Sequence, residues 1–247
     1  MLEFTVLTLN IHQGFSALGR RFVLSELREA VHAVSAEVVC LQEVLGAHES
    51  RSRRHADWPA VPHYEFLADT LWPQFAYGRN AVYPEGHHGN AVLSKFPIAR
   101  HRNVDVSVPQ AEQRGMLWCV LDVPGTPLQI HAVCVHLGLR EAHRRRQLEA
   151  LRQLVDEQVP ADAPLVVAGD FNDWRRSADA ILAGCGLHEA FAGADGRNAR
   201  TFPARWPLLP LDRVYVRGVR ATRPRVLSGR PWSHLSDHAP LLVDVQA

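Results

Sequence analysis

The chain has 247 residues, of which 47% are hydrophobic and 21% are charged, and its formal net charge is +1. This composition is ordinary for a folded globular protein and excludes a long disordered chain. A net charge near zero argues against tight nucleic-acid binding through overall charge, although it leaves room for a local basic patch. Apolar runs fall short of the ~20 residues that a membrane-spanning helix needs, and the N-terminal segment does not resemble a signal peptide. We therefore expect a cytoplasmic protein.

The first half of the chain predicts a strand, a helix and a second strand, followed by short strands. β-Branched residues predict a strand at 4–9, and apolar residues at helical spacing predict a helix over 22–34. Residues 37–44 are typical of the next strand, and the polar residues 45–62 predict a loop. Further strands are predicted at 63–67, 90–94, 104–108, 115–122 and 128–135.

The second half contains the clearest helix, over 141–159, where leucines repeat on one face. A buried strand at 163–171 and a short helix at 176–183 follow. The last strands are predicted at 211–216, 221–227 and 240–245. Strands outnumber helices, and we find neither a linker nor an internal repeat. The pattern predicts one α/β domain over residues 1–247, in which helices cover packed sheets from outside.

Polar side chains recur where the predicted strands meet loops. Taken singly they are weak signals, because a lone histidine is more often a core residue and an acid beside an arginine is more often a surface ion pair. "GDFN" at 169–172 is more specific, since it ends a buried strand in two oxygen-bearing side chains. Strand ends are rigid, as catalytic groups require. The residues are Asn10, Glu43, His136, Asp170, Asn172, Asp212, Asp237 and His238.

The chemical types of these residues indicate a metal-assisted reaction. Amide and carboxylate oxygens suit Mg²⁺ or Mn²⁺. Two histidines without a third, and cysteines without metal-binding spacing, fit zinc poorly. Histidines beside acids can move protons or donate to developing negative charge. The sequence therefore predicts Mg²⁺ (or Mn²⁺) as the cofactor.

The order of the motifs resembles the endonuclease/exonuclease/phosphatase family. The resemblance implies a DNase I-like, four-layer α/β/β/α sandwich, in which two packed mixed β-sheets are flanked by helices and the site lies at one end. The family includes nucleases, sphingomyelinases and inositol-phosphate phosphatases, so the motifs indicate a reaction more than a substrate. They span residues 9–241 and read "LNIH", "LQEV", "GNAVLSKFPI", "HLGLREAHRRRQ", "GDFND", "LDRVYV" and "LSDHAPL".

The resemblance also implies roles for the metal and water ligands. Glu43 is the expected principal metal ligand, assisted by Asn10 and Asp237. Asp170 is expected to orient or deprotonate the attacking water. Asn172 is expected to hold the phosphate or the same water.

Further expected roles concern the histidines and the substrate. His238, held by Asp212, either stabilises charge on the pentacovalent phosphorus or acts as a base. His136 donates to a phosphoryl oxygen or protonates the leaving group. Arg114 is expected to contact the phosphate or to lie on the surface, and Asn90 to face the substrate or to cap a turn.

Two arginine clusters have alternative interpretations. Arg51, Arg53 and Arg54 either track a polyanion or belong to a solvated loop. Arg144 and Gln147 lie three residues apart on the predicted helix, so they share a face. We expect this pair to tie the helix to the site.

The sequence predicts a hydrolase that cleaves phosphoester bonds by in-line attack of water and prefers phosphodiesters to monoesters. Nucleic acid is the first candidate substrate, and a phospholipid or another small phosphoester is the second. A catalytically inactive binding scaffold is the third alternative. Clustered polar groups cost stability, so a full set of them argues for a working site. The sequence specifies no protein partner.

Overall fold

The computed structural model describes residues 2–192 and 198–247, which form β-sheets flanked by helices. Its strands are β1 (Glu3–Asn10), β2 (Val38–His48), β3 (Gln74–Tyr83), β4 (Gly86–Ser94), β5 (Ile98–Asp105), β6 (Gly115–Asp122), β7 (Gln129–His136), β8 (Leu165–Asp170), β9 (His188–Glu189), β10 (Asp212–Arg217), β11 (Arg220–Val226) and β12 (Leu241–Gln246). Its helices are α1 (Leu24–Val34), α2 (Glu49–Ser52), α3 (His63–Ala68), α4 (Glu141–Gln158), α5 (Ser177–Ala183) and α6 (Trp232–Leu235).

The strands form two six-stranded mixed sheets. The first sheet has the order β11-β12-β1-β2-β4-β3, and the second has the order β5-β6-β7-β8-β10-β9. Each contains one parallel pair, β1 with β2 and β7 with β8, among antiparallel neighbours. Helices α1 and α3 pack on the first sheet, and α4 and α5 pack on the second. This is the four-layer α/β/β/α sandwich that the family resemblance implies.

Alternation along the strands explains the layers, because successive side chains of a strand point to opposite faces. In β1, Val6 faces the other sheet while Leu7 faces the helices. In β8, Val166 faces the other sheet while Val167 faces the α4 side. All four side chains are buried, and full burial of each stabilises the fold by roughly 1.5–3 kcal/mol. Strands that are apolar on both faces can only lie between two layers.

Helix α4 follows the predicted amphipathic pattern. Leu148, Leu151 and Leu154 are buried against the second sheet, and Arg145 and Arg146 are exposed. Within residues 2–192 and 198–247, we find no helix that combines the length and apolar character needed to cross a membrane.

The structure corrects the prediction in three segments. Residues 63–67, predicted as a strand, begin helix α3, because a short apolar run does not distinguish a strand from a buried helix. The predicted loop at 45–62 instead continues β2 to His48 and contains α2. Strand β3 was not predicted, since "QFAYGRNAVY" lacks regular alternation of apolar and polar residues.

The sheet topology brings the ends of several strands to one edge of the sandwich. Parallel β1 and β2 run toward this edge, as do parallel β7 and β8. Antiparallel β10 starts there, with Asp212 opposite Asp170. His136 lies opposite Asp170 on the other side of β8. Polar residues far apart in the sequence are therefore neighbours at this edge.

Candidate active site

The side chain of Asn10 links acidic residues from the two sheets. Its Nδ2 donates to Oε1 of Glu43 at 3.3 Å and to Oδ2 of Asp170 at 3.2 Å. Its Oδ1 accepts the backbone N–H of His12 at 3.0 Å. Glu43 belongs to the first sheet and Asp170 to the second, so this buried amide lies where the two sheets meet. The two carboxylate oxygens form an electronegative corner of the site.

An irregularity in β2 places Glu43. The register between β2 and β4 shifts between Leu41 and Val44, and Glu43 between them has a left-handed φ of 56°. Such a conformation costs a non-glycine residue roughly 1–3 kcal/mol and is concentrated at functional sites. The bulge turns the carboxylate out of the strand, so that it lines the pocket at the sheet edge.

The "GDFN" segment owes its shape to a glycine. Gly169 has a φ of 149°, and a Cβ atom there would lie 2.0 Å from the carbonyl oxygen of Val135, so any other residue would displace β7. The next residue, Asp170, accepts the backbone N–H of Asn172 at 2.9 Å. The side chain of Asn172, whose φ is 51°, donates to the carbonyl of Leu137 at 3.0 Å. The carboxylate of Asp170 is thus fixed by its own turn.

His238 and Asp212 form a buried acid–imidazole pair beside Asp170. Nδ1 of His238 lies 2.8 Å from Oδ2 of Asp212, and its Nε2 lies 3.8 Å from Oδ2 of Asp170. Burial lowers the pKa of His238, but the carboxylates of Asp212 and Asp170 outweigh this effect and raise it to about 10. The ring is therefore a cation at neutral pH, held in place by Asp212.

At Asp170, unlike His238, burial outweighs the opposing interactions with neighbouring groups. Burial raises the pKa of its carboxyl to about 7, and Asp212 adds to this rise, while His238 and Asn10 oppose it. A carboxyl group whose pKa lies near neutrality is suited to accept a proton from water. The pair His238 and Asp170 therefore combines a fixed cation with a potential base.

His136 is the second imidazole of the site, and its charge state differs. Its Nε2 lies 3.5 Å from Oδ2 of Asp170. Burial, together with the positive charges of Arg114 and His238, lowers the pKa of His136 well below its ordinary value. This ring is neutral at physiological pH, so the site holds one charged and one neutral imidazole.

These groups surround a cavity of ≈ 330 Å³. Besides the polar residues, its mouth carries Leu139, Trp174 and Leu209, whose exposed fractions are 57%, 43% and 40%. Asp212 lies behind His238 and is 1% exposed. The lining residues are Asn10, Glu43, Arg114, His136, Leu139, Asp170, Asn172, Trp174, Phe202, Leu209, Leu211 and His238.

The sequence of residues 7–238 matches the model of the endonuclease/exonuclease/phosphatase family. The chain belongs to this family. It is 58% identical over 244 residues to the uncharacterized protein YbhP of Escherichia coli (strain K12), and the match covers 98% of this chain and 96% of that protein.

Solved structures confirm the DNase I-like fold. The endonuclease/exonuclease/phosphatase from Bacteroides vulgatus superposes with a TM-score of 0.76 at 19% identity, over 100% of this chain and 99% of that chain. The mannosyl-6-phosphatase Bt3783 of Bacteroides thetaiotaomicron gives a TM-score of 0.70 at 16% identity, over 99% of this chain and 100% of that chain. At identities this low, the superpositions establish a shared fold only. Family membership supports a hydrolase that acts on phosphoesters, and family members generally use divalent metals.

The donor set of the site fits a hard divalent cation. Glu43 and Asp170 direct carboxylate oxygens at the same amide nitrogen, and Mg²⁺ is usually bound through one or two carboxylates. A tighter group of Asp170, Asp212 and His238 has potential ligand atoms within 4.8 Å of one another. In that group, Nδ1 of His238 is already paired with Asp212. The Glu43 corner is therefore the part of the site that could hold such a cation, and the His238 group is suited to proton transfer.

Three predicted site residues lie outside the cavity lining: Asp212, which lies behind His238, and also Asn90 and Asp237. Asn90 is fully buried and donates to the carbonyls of Gly115 and Cys134 at 2.8 and 3.2 Å, so it joins the two sheets rather than capping a turn. Asp237 lies beside His12, with 3.4 Å between Oδ2 and Nδ1. Substrate binding by Asn90 and metal binding by Asp237 stay predictions.

The sequence interpretation missed Trp174 as a residue of the pocket mouth. Its ring lies 4.9 Å from the guanidinium of Arg144, which is fully buried and donates to the carbonyls of Gly138 and Leu139. Gln147 accepts the N–H of Gly138 at 2.7 Å, so Arg144 and Gln147 tie α4 to the site as predicted. The only sequence signal for Trp174 was its place directly after "GDFND".

Proposed function

We propose that the protein is a Mg²⁺- or Mn²⁺-dependent phosphoesterase that hydrolyses P–O bonds, preferably in phosphodiesters, by in-line attack of water. One observation carries the proposal: the Asp212–His238 pair and the Glu43–Asn10 corner meet at the carboxylate of Asp170, within a single cavity.

The attacking water belongs at Asp170. The oxygen of this water forms the new bond to phosphorus, Asp170 takes the proton, and the bond from phosphorus to the leaving oxygen breaks on the opposite side. Asn172 is fixed beside Asp170 by its own backbone N–H, so its side chain can hold the water or the phosphate. His238 is a fixed cation, and we therefore assign it to stabilising negative charge on the phosphoryl oxygens.

The remaining groups bind the phosphate and assist departure. His136 is neutral and can donate an N–H to a phosphoryl or leaving oxygen. Arg114 lines the cavity, with its Nε donating to the carbonyl of Leu137, so its outer nitrogens can reach the phosphate. The cation is expected on Glu43 and Asn10, with Asp237 completing the set. When bound, such an ion polarises a phosphoryl oxygen and neutralises developing charge.

Hydrolysis of bis-p-nitrophenyl phosphate tests the reaction class. We expect turnover with Mg²⁺ or Mn²⁺ that a chelator abolishes and added metal restores. Asp170→Asn and His238→Ala should each reduce kcat by about 10²–10⁴-fold. The matched control is Asp162→Asn, which makes the same change at an exposed position and should leave kcat unchanged. Unchanged turnover in either site variant removes that residue from the mechanism. A wild-type protein that binds phosphoesters without hydrolysing them supports the inactive scaffold.

The apolar mouth favours a second candidate substrate. Nucleic acid is the first candidate, but the net charge is only +1. The cavity mouth carries Leu139, Trp174 and Leu209, and Trp206 and Leu208 of the adjoining loop are 72% and 63% exposed. Such a rim suits a phospholipid.

Substrate panels separate the candidates. Plasmid nicking and cleavage of an abasic site support the nuclease, and release of headgroup from phospholipid vesicles supports the lipid hydrolase. A sugar-phosphate monoester belongs in the panel because one structural neighbour is a mannosyl-6-phosphatase. Preference for the monoester would contradict the phosphodiesterase assignment.

A further inference from the structure

A second recess lies beside the active site, between the segment that follows β1 and helix α2. We call it the basic recess. Its volume is ≈ 240 Å³, and its lining contains two guanidinium groups and two imidazoles but no carboxylate. The lining residues are His12, Gln13, Phe15, Gly19, Arg51, Arg54 and His55.

Arg51 is held in a fixed position in this recess. Its Nη1 donates to Oε1 of Gln13, and its guanidinium lies 4.9 Å from the centre of the Phe15 ring. Within the described residues, the hydrogen bond of its side chain goes to this neutral amide and not to a carboxylate. A cation that is oriented but not neutralised is prepared for an anionic ligand.

The backbone beneath Arg51 is also unusual. His12 and Gln13 have left-handed φ values of 46° and 56°, and Gly14 follows with a φ of 81°. Consecutive non-glycine residues in this region cost roughly 1–3 kcal/mol each and persist only where the surroundings enforce them. Here the strained turn places the amide of Gln13 against Arg51.

The positive charge of Arg51 and Arg54 affects the pKa of nearby histidines. Burial first, and then the charges of Arg51 and Arg54, lower the pKa of His48. Burial lowers the pKa of His63 to about 3, and the charge of Arg51 contributes. The positive charges of the basic recess thus oppose protonation of both imidazoles.

The basic recess adjoins the active site through one residue. The backbone N–H of His12 donates to Oδ1 of Asn10, which lines the catalytic cavity. Nδ1 of His12 lies 3.4 Å from Oδ2 of Asp237. A single ligand extending past Asn10 would therefore place one group in each cavity.

We propose that the basic recess binds a phosphate group next to the one that reacts. Arginine forks match the oxygen geometry of phosphate, and the recess lacks the carboxylates that would repel it. The bound group is either a second phosphate of the substrate or free inorganic phosphate. Assignment to the substrate rests on the proposed phosphoesterase function, whereas phosphate binding does not.

Direct binding tests the recess without catalysis. Inorganic phosphate is titrated into metal-free protein, and the amide signals of Gln13 and Gly19 are followed by NMR. We expect saturable shifts, with affinity reduced about tenfold in Arg51→Gln and in Arg54→Gln, as the loss of one charge-assisted contact predicts. Arg53→Gln is the matched control, because Arg53 is exposed and outside the recess lining. Equal affinity in all three variants overturns the proposal.

A matched substrate pair tests the source of the phosphate. Thymidine 5′-(p-nitrophenyl phosphate) is compared with the same ester carrying a 3′-phosphate. We expect the 3′-phosphate to raise kcat/KM about tenfold in the wild type and in Arg53→Gln, and this gain to vanish in Arg51→Gln and Arg54→Gln. Phosphate binding without such a gain supports the recess as a site for free phosphate. Phosphate binding without turnover of either ester refutes the proposed function and leaves the recess standing.

Discussion

The Asp212→Asn substitution tests how the buried pair works. Asp212 accepts from Nδ1 of His238 at 2.8 Å and is 1% exposed. The amide has the same shape and can still accept this hydrogen bond through its oxygen. The substitution therefore removes the negative charge while keeping the position of the ring.

The expected size of the pH effect follows from the charges that set the pKa of His238. Burial lowers its pKa, and Asp212 makes the largest of the three carboxylate contributions, ahead of Asp170 and Asp237, that raise it to about 10. We expect the variant to return the pKa toward the ordinary value of 6.5. The imidazolium fraction at pH 8 then falls from nearly complete to about 3%, whereas at pH 6 it stays at about 75%. A variant that is inactive at pH 8 should thus recover at pH 6.

The assay measures kcat for bis-p-nitrophenyl phosphate from pH 6 to pH 9 in both proteins. We expect the ratio of variant to wild type to rise roughly 20-fold between pH 8 and pH 6. Asp212 also raises the pKa of Asp170, so NMR titration of the His238 ring is needed to isolate its own shift. A ratio that does not change with pH would show that the charge of Asp212 does not control the protonation of His238, and would leave Asp212 a purely positioning role.

Three further predictions concern stability and accessibility. The folded pKa of His63 is about 3 and its ordinary value is 6.5, so the unfolded state takes up this proton first as the pH falls. Other buried groups titrate in the same range, so the contribution of His63 is a difference: between pH 7 and pH 5.5 the wild type should lose about 1 kcal/mol more of its free energy of unfolding than His63→Leu, as measured by urea unfolding. Arg144→Met leaves Asp173 without its buried cation and should cost about 3 kcal/mol, against less than about 0.5 kcal/mol for exposed Arg145→Met, as read from urea midpoints. The four cysteines are free and buried, so a thiol reagent should label the protein only after denaturation.

Alternation and strand ends made much of the architecture predictable. Runs such as "VVCLQE" and "LVVAGD" are apolar on both faces, which identified strands lying between two layers. The polar residues that end such strands, including Asn10 and Asp170, stood out for the same reason. Their meeting at one end of the sandwich depends also on how the two sheets pack, which only the family resemblance implied. The need for Gly169 emerged only from the structure, where the neighbouring strand leaves no room for a Cβ atom.

Features that depend on tertiary contacts could not be read from the sequence. The left-handed φ of Glu43 arises from a bulge against β4, and no glycine marks it. Trp174 lies at the pocket mouth with its ring against buried Arg144, which comes from another element. Asn90 occupies a strand at the sheet interface, where its amide bonds to carbonyls of the second sheet. Each case depends on partners distant in the chain.

Because Asn10 is hydrogen-bonded to a carboxylate from each sheet, the arrangement of the catalytic groups depends on the distance between the two sheets. Glu43 belongs to one sheet and Asp170 to the other. The core layer between the two sheets includes small side chains such as Cys134 and Ala168. That layer acts as a spacer whose thickness sets the gap between the two carboxylates. Enlarging a spacer residue would therefore change the reaction rate from deep in the interior, without altering any group that touches the substrate.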